Sequence, residues 1–311
     1  MATLNEAFST VTVRRRYEVW FMRMGLADGS GAWWFRYLVM NPGRGGCVGN
    51  PAGAPVQVWA TWFPQGNQPE SFIQGFDLPT FDLSGKGQSP FHFRVGENSA
   101  DENSCSGSLN VGQHTVSWDL QYRSNFRVTL SDKGWIGFSR TPHSDAVFSG
   151  EITMDGRKFA GDPLGFGVQG HNCGYRHRNF WRWTHAYFPR SERTATTLEA
   201  LVYEMPLGLV FRKAVLWHDG QPHLFRNLRE SGDRSGMQWS FQGKGNGLTI
   251  DAAIDGRGSS LHRLPYLKTD GSGAFEVSNN SLASASLLIE KRNGYMERLE
   301  CTGGAVLEMV G

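Results

Sequence analysis

Along Phe180-Trp-Arg-Trp-Thr-His-Ala-Tyr-Phe188, the residues Trp181, Trp183, His185 and Tyr187 fall at every second position. Side chains two apart in an extended chain point the same way. The spacing therefore predicts a strand with one aromatic face that carries a single titratable group. Such a face suits the wall of an apolar ligand cavity, where a few polar groups anchor or protonate the ligand. It suits equally the core of a sheet in which His185 is a hydrogen-bonded buried residue. The preceding Gly167-Val-Gln-Gly-His-Asn-Cys-Gly-Tyr175 reads as a His/Asn turn that leads into this strand.

The same period-two pattern predicts three long strands near the N-terminus, over Tyr17 to Met24, Trp33 to Met40 and Val56 to Phe63. Asp28-Gly29 supplies the tight turn between the first two, and Asp-Gly recurs at 155–156, 219–220 and 270–271. In the second strand Trp33, Phe35, Tyr37 and Val39 share one face. Trp34, Leu38 and Met40 share the other with Arg36, so both sides of this sheet are covered. Ser191 to Glu204 has some helical spacing, but Thr194, Thr196, Thr197 and Val202-Tyr203 favour a strand. Further strands are expected at 179–188, 210–217, 237–242, 248–254, 273–278, 283–289 and 304–309. The glycine-rich stretch Asn41 to Pro55 reads as a loop without a following helix to hold phosphate. Ser84 to Ser89 and Glu97 to Ser108 read as surface connections.

Aromatic residues form 13% of the 311 residues, and 39 glycines punctuate the chain, which reinforces an all-β meander. The length accommodates two domains, placed at residues 1–172 and 173–311, each a small antiparallel barrel. Lys and Arg number 31 against 29 Asp and Glu, so no overall field steers the protein to nucleic acid. Arg14-Arg15-Arg16 and Arg176, Arg178 and Arg182 read as local solvated runs. Neither a secretory leader nor a bilayer-spanning stretch is visible, and Cys47, Cys105, Cys173 and Cys301 are widely spaced. These features predict a cytoplasmic protein with free thiols.

The Tyr17-Glu-Val-Trp-Phe-Met-Arg-Met24 and Trp33-Trp-Phe-Arg-Tyr37 segments and the Gly-x-x-Gly-His-Asn-x-Gly motif belong to a wider resemblance. With Pro265 to Asn280 and Gly303-Gly-Ala-Val-Leu-Glu308, the chain resembles the carotenoid 1,2-hydratase (hydroxyneurosporene synthase) and tocopherol-cyclase-like superfamily over nearly its whole length. The resemblance implies two tandem lipocalin-like (calycin) barrels with a site at or near their junction. It also implies a large unsaturated apolar substrate, isoprenoid- or polyketide-like, and no metal or redox cofactor. Hydratase relatives carry a motif Asp-His-Asn/Gln-Trp-Gly, which matches positions 170–174 here. His171, Asn172 and Gly174 carry over, while Gly170 stands at the acidic position and Cys173 at the tryptophan position.

Protonating an electron-rich double bond needs an acid kept protonated by burial and aromatic faces that tolerate a developing cation. With Gly170 unable to act, Glu199 becomes the candidate acid, on one strand face with Leu201 and Tyr203. His171, His185 and Tyr203 complete the expected proton-handling set. Asn172, Cys173, Tyr175, Trp181, Trp183 and Tyr187 are the expected substrate contacts. A Cys173/His171 nucleophile lacks a recognisable oxyanion site, and His171, His177 and His185 lack metal-ligand spacing. Three functions remain open: a lyase- or isomerase-type enzyme performing proton-assisted hydration, cyclisation or isomerisation, a pericyclase whose walls fold a polyene, and a carrier of an apolar metabolite. Transient contact with a membrane to collect the substrate is a further expectation.

Overall fold

The computed structural model describes residues 4–7, 16–41, 55–77, 80–84, 90–133, 136–191, 194–231, 236–245, 247–270 and 272–311. Most of the glycine-rich stretch 41–55, most of Ser84 to Ser89, Arg14 and Arg15, Cys47 and Gly271 lie outside the described residues.

The first sheet is built from β1 (Arg16–Leu26), β2 (Gly31–Asn41), β3 (Val56–Pro64), β4 (Glu70–Phe76), β5 (Phe81–Leu83) and β6 (His92–Val95). To these it adds β7 (Asn98–Asp101), β8 (Ser104–Val111), β9 (His114–Arg123), β10 (Val128–Asp132), β11 (Gly137–Met154) and β12 (Arg157–Gly174). The second sheet begins with β13 (Trp181–Ser191), β14 (Thr194–Glu204), β15 (Val210–His218), β16 (Gln221–Arg226) and β17 (Arg229–Ser231). It continues with β18 (Gln238–Gly245), β19 (Leu248–Asp255), β20 (His262–Leu267), β21 (Ala274–Lys291) and β22 (Met296–Val310).

The first sheet runs β4-β3-β2-β1-β12-β11-β9-β8-β7-β6-β5, with β10 beside β11. The second runs β16-β15-β14-β13-β22-β21-β19-β18-β17, with β20 beside β21. The two orders are the same path traced twice, with β5 and β6 added to the first. This is the all-β architecture of two tandem lipocalin-like barrels, each sheet curled around its own apolar core. Gly174 still pairs in the first sheet and Trp181 already pairs in the second. The change of sheet therefore occupies 175–180, a few residues beyond the expected boundary at 172/173.

Alternation decides which core each residue joins. Trp33, Phe35, Tyr37 and Val39 pack inside the first barrel, whereas Trp34 faces outward, as the pattern predicts. In β13, Ala186 and Phe188 fill the second barrel, while Trp181 and Trp183 face the first. Trp34, Phe21, Trp59, Trp181, Trp183, Tyr203 and Tyr266 form a third apolar layer between the barrels. Arg23, fully buried, reaches from β1 across that layer. Its Nη2 donates to the carbonyls of Gly303 at 2.9 Å and Ala305 at 3.1 Å and also to Ser281, and its Nη1 donates to Gly304 at 3.3 Å.

Two expectations are corrected. The motif Gly167–Gly174 is not a turn but the last part of β12, paired with β1 on one side and β11 on the other. Its glycines answer crowding: a Cβ at Gly167 would lie 1.9 Å from the Arg23 carbonyl oxygen, and one at Gly170 2.2 Å from the Phe21 ring. Glycine looks like a turn signal in sequence, but in a strand it also marks close approach. The segment Glu97 to Ser108 is not a surface connection either, because it forms β7 and the start of β8. Ala100 and Cys105 enter the core there, and buried Asn98 bonds the Val95 carbonyl and the Ser108 amide. The Asp-Gly turns at 155–156 and 219–220 form as expected, with φ of 50° at both Asp155 and Asp219.

Candidate active site between the barrels

A cavity of about 680 Å³ opens in the layer between the two barrels. Strands β1 and β2 contribute Tyr17, Val19, Phe21, Trp34 and Arg36, because odd positions of β1 and even positions of β2 point away from the first core. The end of β12 and the crossing to β13 contribute Asn172, Cys173, Tyr175 and His177. Trp181, Trp183, Leu201, Tyr203, Tyr266 and Glu308 close the opposite wall. Tyr203 is held by a hydroxyl contact of 3.1 Å with Ser131 and stacks on Phe211.

Glu308 is the carboxyl of this wall. It is 8% exposed, on a stretch of β22 where Leu307 and Met309 turn into the second barrel. Tyr266 Oη donates to its Oε2 at 2.6 Å, Asn279 Nδ2 donates to the same oxygen at 3.4 Å, and Trp181 Nε1 donates to Oε1 at 3.2 Å. Burial raises the Glu308 pKa above the ordinary carboxylate value, against the opposing pull of these donors and of nearby Arg36. The Tyr266 hydroxyl is raised well above its usual range, also by burial. Thus a carboxyl inclined to hold its proton sits at the polar edges of Trp181 and Tyr266, and three donors stand ready for the carboxylate it leaves.

The expected proton handlers lie elsewhere, apart from Tyr203. His171 is fully buried and turns toward the first core, stacked on Trp20 with ring centroids 4.5 Å apart. Its Nδ1 donates to the Leu4 carbonyl at 2.8 Å, and its Nε2 lies 2.8 Å from Glu18 Oε1. His185 Nε2 donates to the Ser144 carbonyl at 2.7 Å, and burial drives its pKa down to about 3, so the ring is neutral. Glu199 pairs across from His185 and lies behind Trp183, outside the cavity wall. Its Oε1 accepts from Thr141 Oγ1 at 2.8 Å and Trp183 Nε1 at 3.0 Å, and burial raises its pKa to about 7. His177 lines the cavity, stacked on Tyr17 with centroids 4.0 Å apart. The three histidines therefore occupy three separate environments.

Of the expected substrate contacts, Asn172, Cys173, Tyr175, Trp181 and Trp183 line the cavity, and Tyr187 does not; it stacks on Phe166 at 5.2 Å. Cys173 accepts from Arg16 Nη1 at 3.6 Å, and burial pushes its thiol well above the ordinary range. Sequence reading missed Glu308, Tyr266, Arg36, Tyr17 and His177 as site residues. The available signal was a lone charge at an alternate position of an apolar strand: Glu308 in Ala305-Val-Leu-Glu-Met309 and Arg36 in Trp33-Trp-Phe-Arg-Tyr37.

No family model and no curated protein sequence matches the chain. Solved structures do match its fold. Kievitone hydratase from Nectria haematococca is 12% identical with a TM-score of 0.58, over 100% of this chain and 92% of that one. CghA, solved with Sch210972, is 13% identical with a TM-score of 0.59, over 95% of this chain and 88% of that one.

Proposed function

We propose that the chain is a cofactor-independent enzyme of the hydratase or cyclase type, acting on a large unsaturated apolar molecule in the cavity between its barrels. The observation that carries this reading is Glu308: a buried carboxyl of raised pKa, set among aromatic faces on the wall of a ligand-sized cavity. Kievitone hydratase, a hydratase of the same fold, supports the reaction class.

In this reading Glu308 gives its proton to an electron-rich double bond. The π pair forms the new C–H bond and leaves a carbocation at the neighbouring carbon, which the faces of Trp181, Trp183 and Tyr266 stabilise. Tyr266, Trp181 and Asn279 stabilise the carboxylate left behind. Water captures the cation in a hydration, or a second double bond or hydroxyl of the substrate captures it in a cyclisation. The proton then released restores Glu308. Tyr203, on the same wall, and Asn172, across the cavity, orient the substrate.

The test is incubation with a panel of isoprenoid and polyketide polyenes in deuterium oxide, followed by mass spectrometry. Hydration adds the mass of water with one carbon-bound deuterium, cyclisation through protonation leaves one carbon-bound deuterium without added water, and Glu308→Gln abolishes both. Cyclisation that proceeds at full rate in Glu308→Gln would transfer the catalytic role from proton donation to the shape of the walls. A wild-type protein that binds members of the panel without converting any would make it a carrier.

A further inference from the structure

We infer that Arg36 is the docking point for an anionic or enolate oxygen, so that the substrate is an apolar acid rather than a neutral hydrocarbon. This rests on reading the inter-barrel cavity as the substrate site. Arg36 is 4% exposed and forms part of the cavity wall. Its guanidinium packs against two rings that stand at right angles to each other, with its central carbon 4.5 Å from the Trp59 centroid and 3.9 Å from that of Tyr266. Contact with the rings favours the charge, but the N–H groups at the guanidinium edge need acceptors lying in its plane. Nη1 finds no such acceptor among the described residues, although it is buried.

A buried cation is costly unless something compensates it. Glu308 shares the wall but does not neutralise Arg36: no ion pair joins them, and both Glu308 oxygens already accept from Tyr266, Asn279 and Trp181. The rest of the lining has the same sign, because Lys133, Arg176 and Arg178 outnumber Asp270. A planar fork with an unpartnered Nη1, packed against two rings in a cavity whose charged lining is mostly cationic, matches a carboxylate or a delocalised enolate. An anion seated there would also cancel the positive charge that draws Glu308 toward ionisation, so the acid would keep its proton best when the substrate is in place.

The experiment compares 1-anilinonaphthalene-8-sulfonate with N-phenyl-1-naphthylamine, the same ring system with and without an anionic group, by fluorescence titration of the full chain. The wild type is expected to bind the sulfonate at least tenfold more tightly. Arg36→Gln is expected to erase that preference and to leave the neutral probe within twofold of its wild-type Kd. Arg178→Gln is expected to keep most of the preference. A preference that survives in Arg36→Gln, or that disappears in Arg178→Gln instead, overturns the assignment to Arg36. Asn172→Trp, which fills the cavity, is expected to weaken both probes, and unchanged binding of both would overturn the cavity reading itself. If Arg36→Gln loses its thermal transition, Arg36→Lys keeps the charge without the fork and is expected to cut the preference at least threefold. An unchanged preference in Arg36→Lys overturns the proposal.

Discussion

Asn172 and Glu308 occupy matching positions in the two repeats. Each is third from the end of its strand, β12 and β22, and each faces the cavity. Asn172 lies between Val19 of β1 and Ser139 of β11, and Glu308 between Trp183 of β13 and Asn279 of β21. The carboxyl sought near the His-Asn motif of the first repeat is thus present at the corresponding place in the second. Glu308→Gln should lower turnover at least a hundredfold with an unchanged unfolding midpoint, and Tyr266→Phe should lower it about tenfold by removing one donor to the carboxylate. Steady-state kinetics beside thermal melts of both variants check this.

His171 is expected to matter for stability rather than for turnover. Its ring bridges Glu18 and the Leu4 carbonyl within the first barrel. His171→Ala removes the imidazole partner of the buried Glu18 carboxyl and the stacking on Trp20, and should cost about 2–4 kcal/mol in urea unfolding. The rate per folded molecule should stay near wild type; a hundredfold fall would return His171 to the catalytic set.

Glu199 makes stability depend on pH in a defined sense. Its folded pKa, about 7, lies above the ordinary glutamate value of 4.5, so the folded state keeps a proton that the unfolded chain releases. The associated stability is complete below about pH 4.5, declines as pH rises, and is lost above about 7. Glu199→Gln should flatten that part of the profile and raise stability at pH 8 by an amount on the order of 3 kcal/mol. Urea midpoints at pH 4.5, 6 and 8 for both proteins test the sign.

Arg23 should behave as the fastener between the barrels. Arg23→Met removes donors from four backbone carbonyls of the second repeat and should cost about 3 kcal/mol or more. Unfolding of the variant should separate into two transitions; a single transition at the wild-type midpoint would deny Arg23 this role.

Gly170→Ala tests the close approach in β12. The added methyl meets the Phe21 ring, which itself lines the cavity. A loss of about 1–3 kcal/mol is expected, with weaker binding of neutral apolar probes. A variant of wild-type stability and affinity would show that the ring yields freely.

Period-two alternation was enough to show strands β1, β2, β3 and β13, the two-sided burial of β2 and the aromatic face of β13, while β14 was legible only from its β-branched residues. Each follows from the fixed geometry of an extended chain, in which neighbouring residues face opposite ways. Alternation states that Trp181 and Trp183 share a face, but not what lies opposite. Glycines 167–174 were misread because a turn and a crowded strand place the same demand on a residue, the absence of a side chain.

The sequence by itself determined an all-β chain with two comparable halves and an aromatic surface, since those follow from local spacing and composition. Only the tertiary structure decided that this surface faces the other barrel, that His171 turns into the first core, and that Arg36, Tyr266 and Glu308 meet at one cavity. These three residues are separated by more than two hundred positions from first to last. Their meeting depends on how two curled sheets pack against each other, a relation that no local pattern encodes.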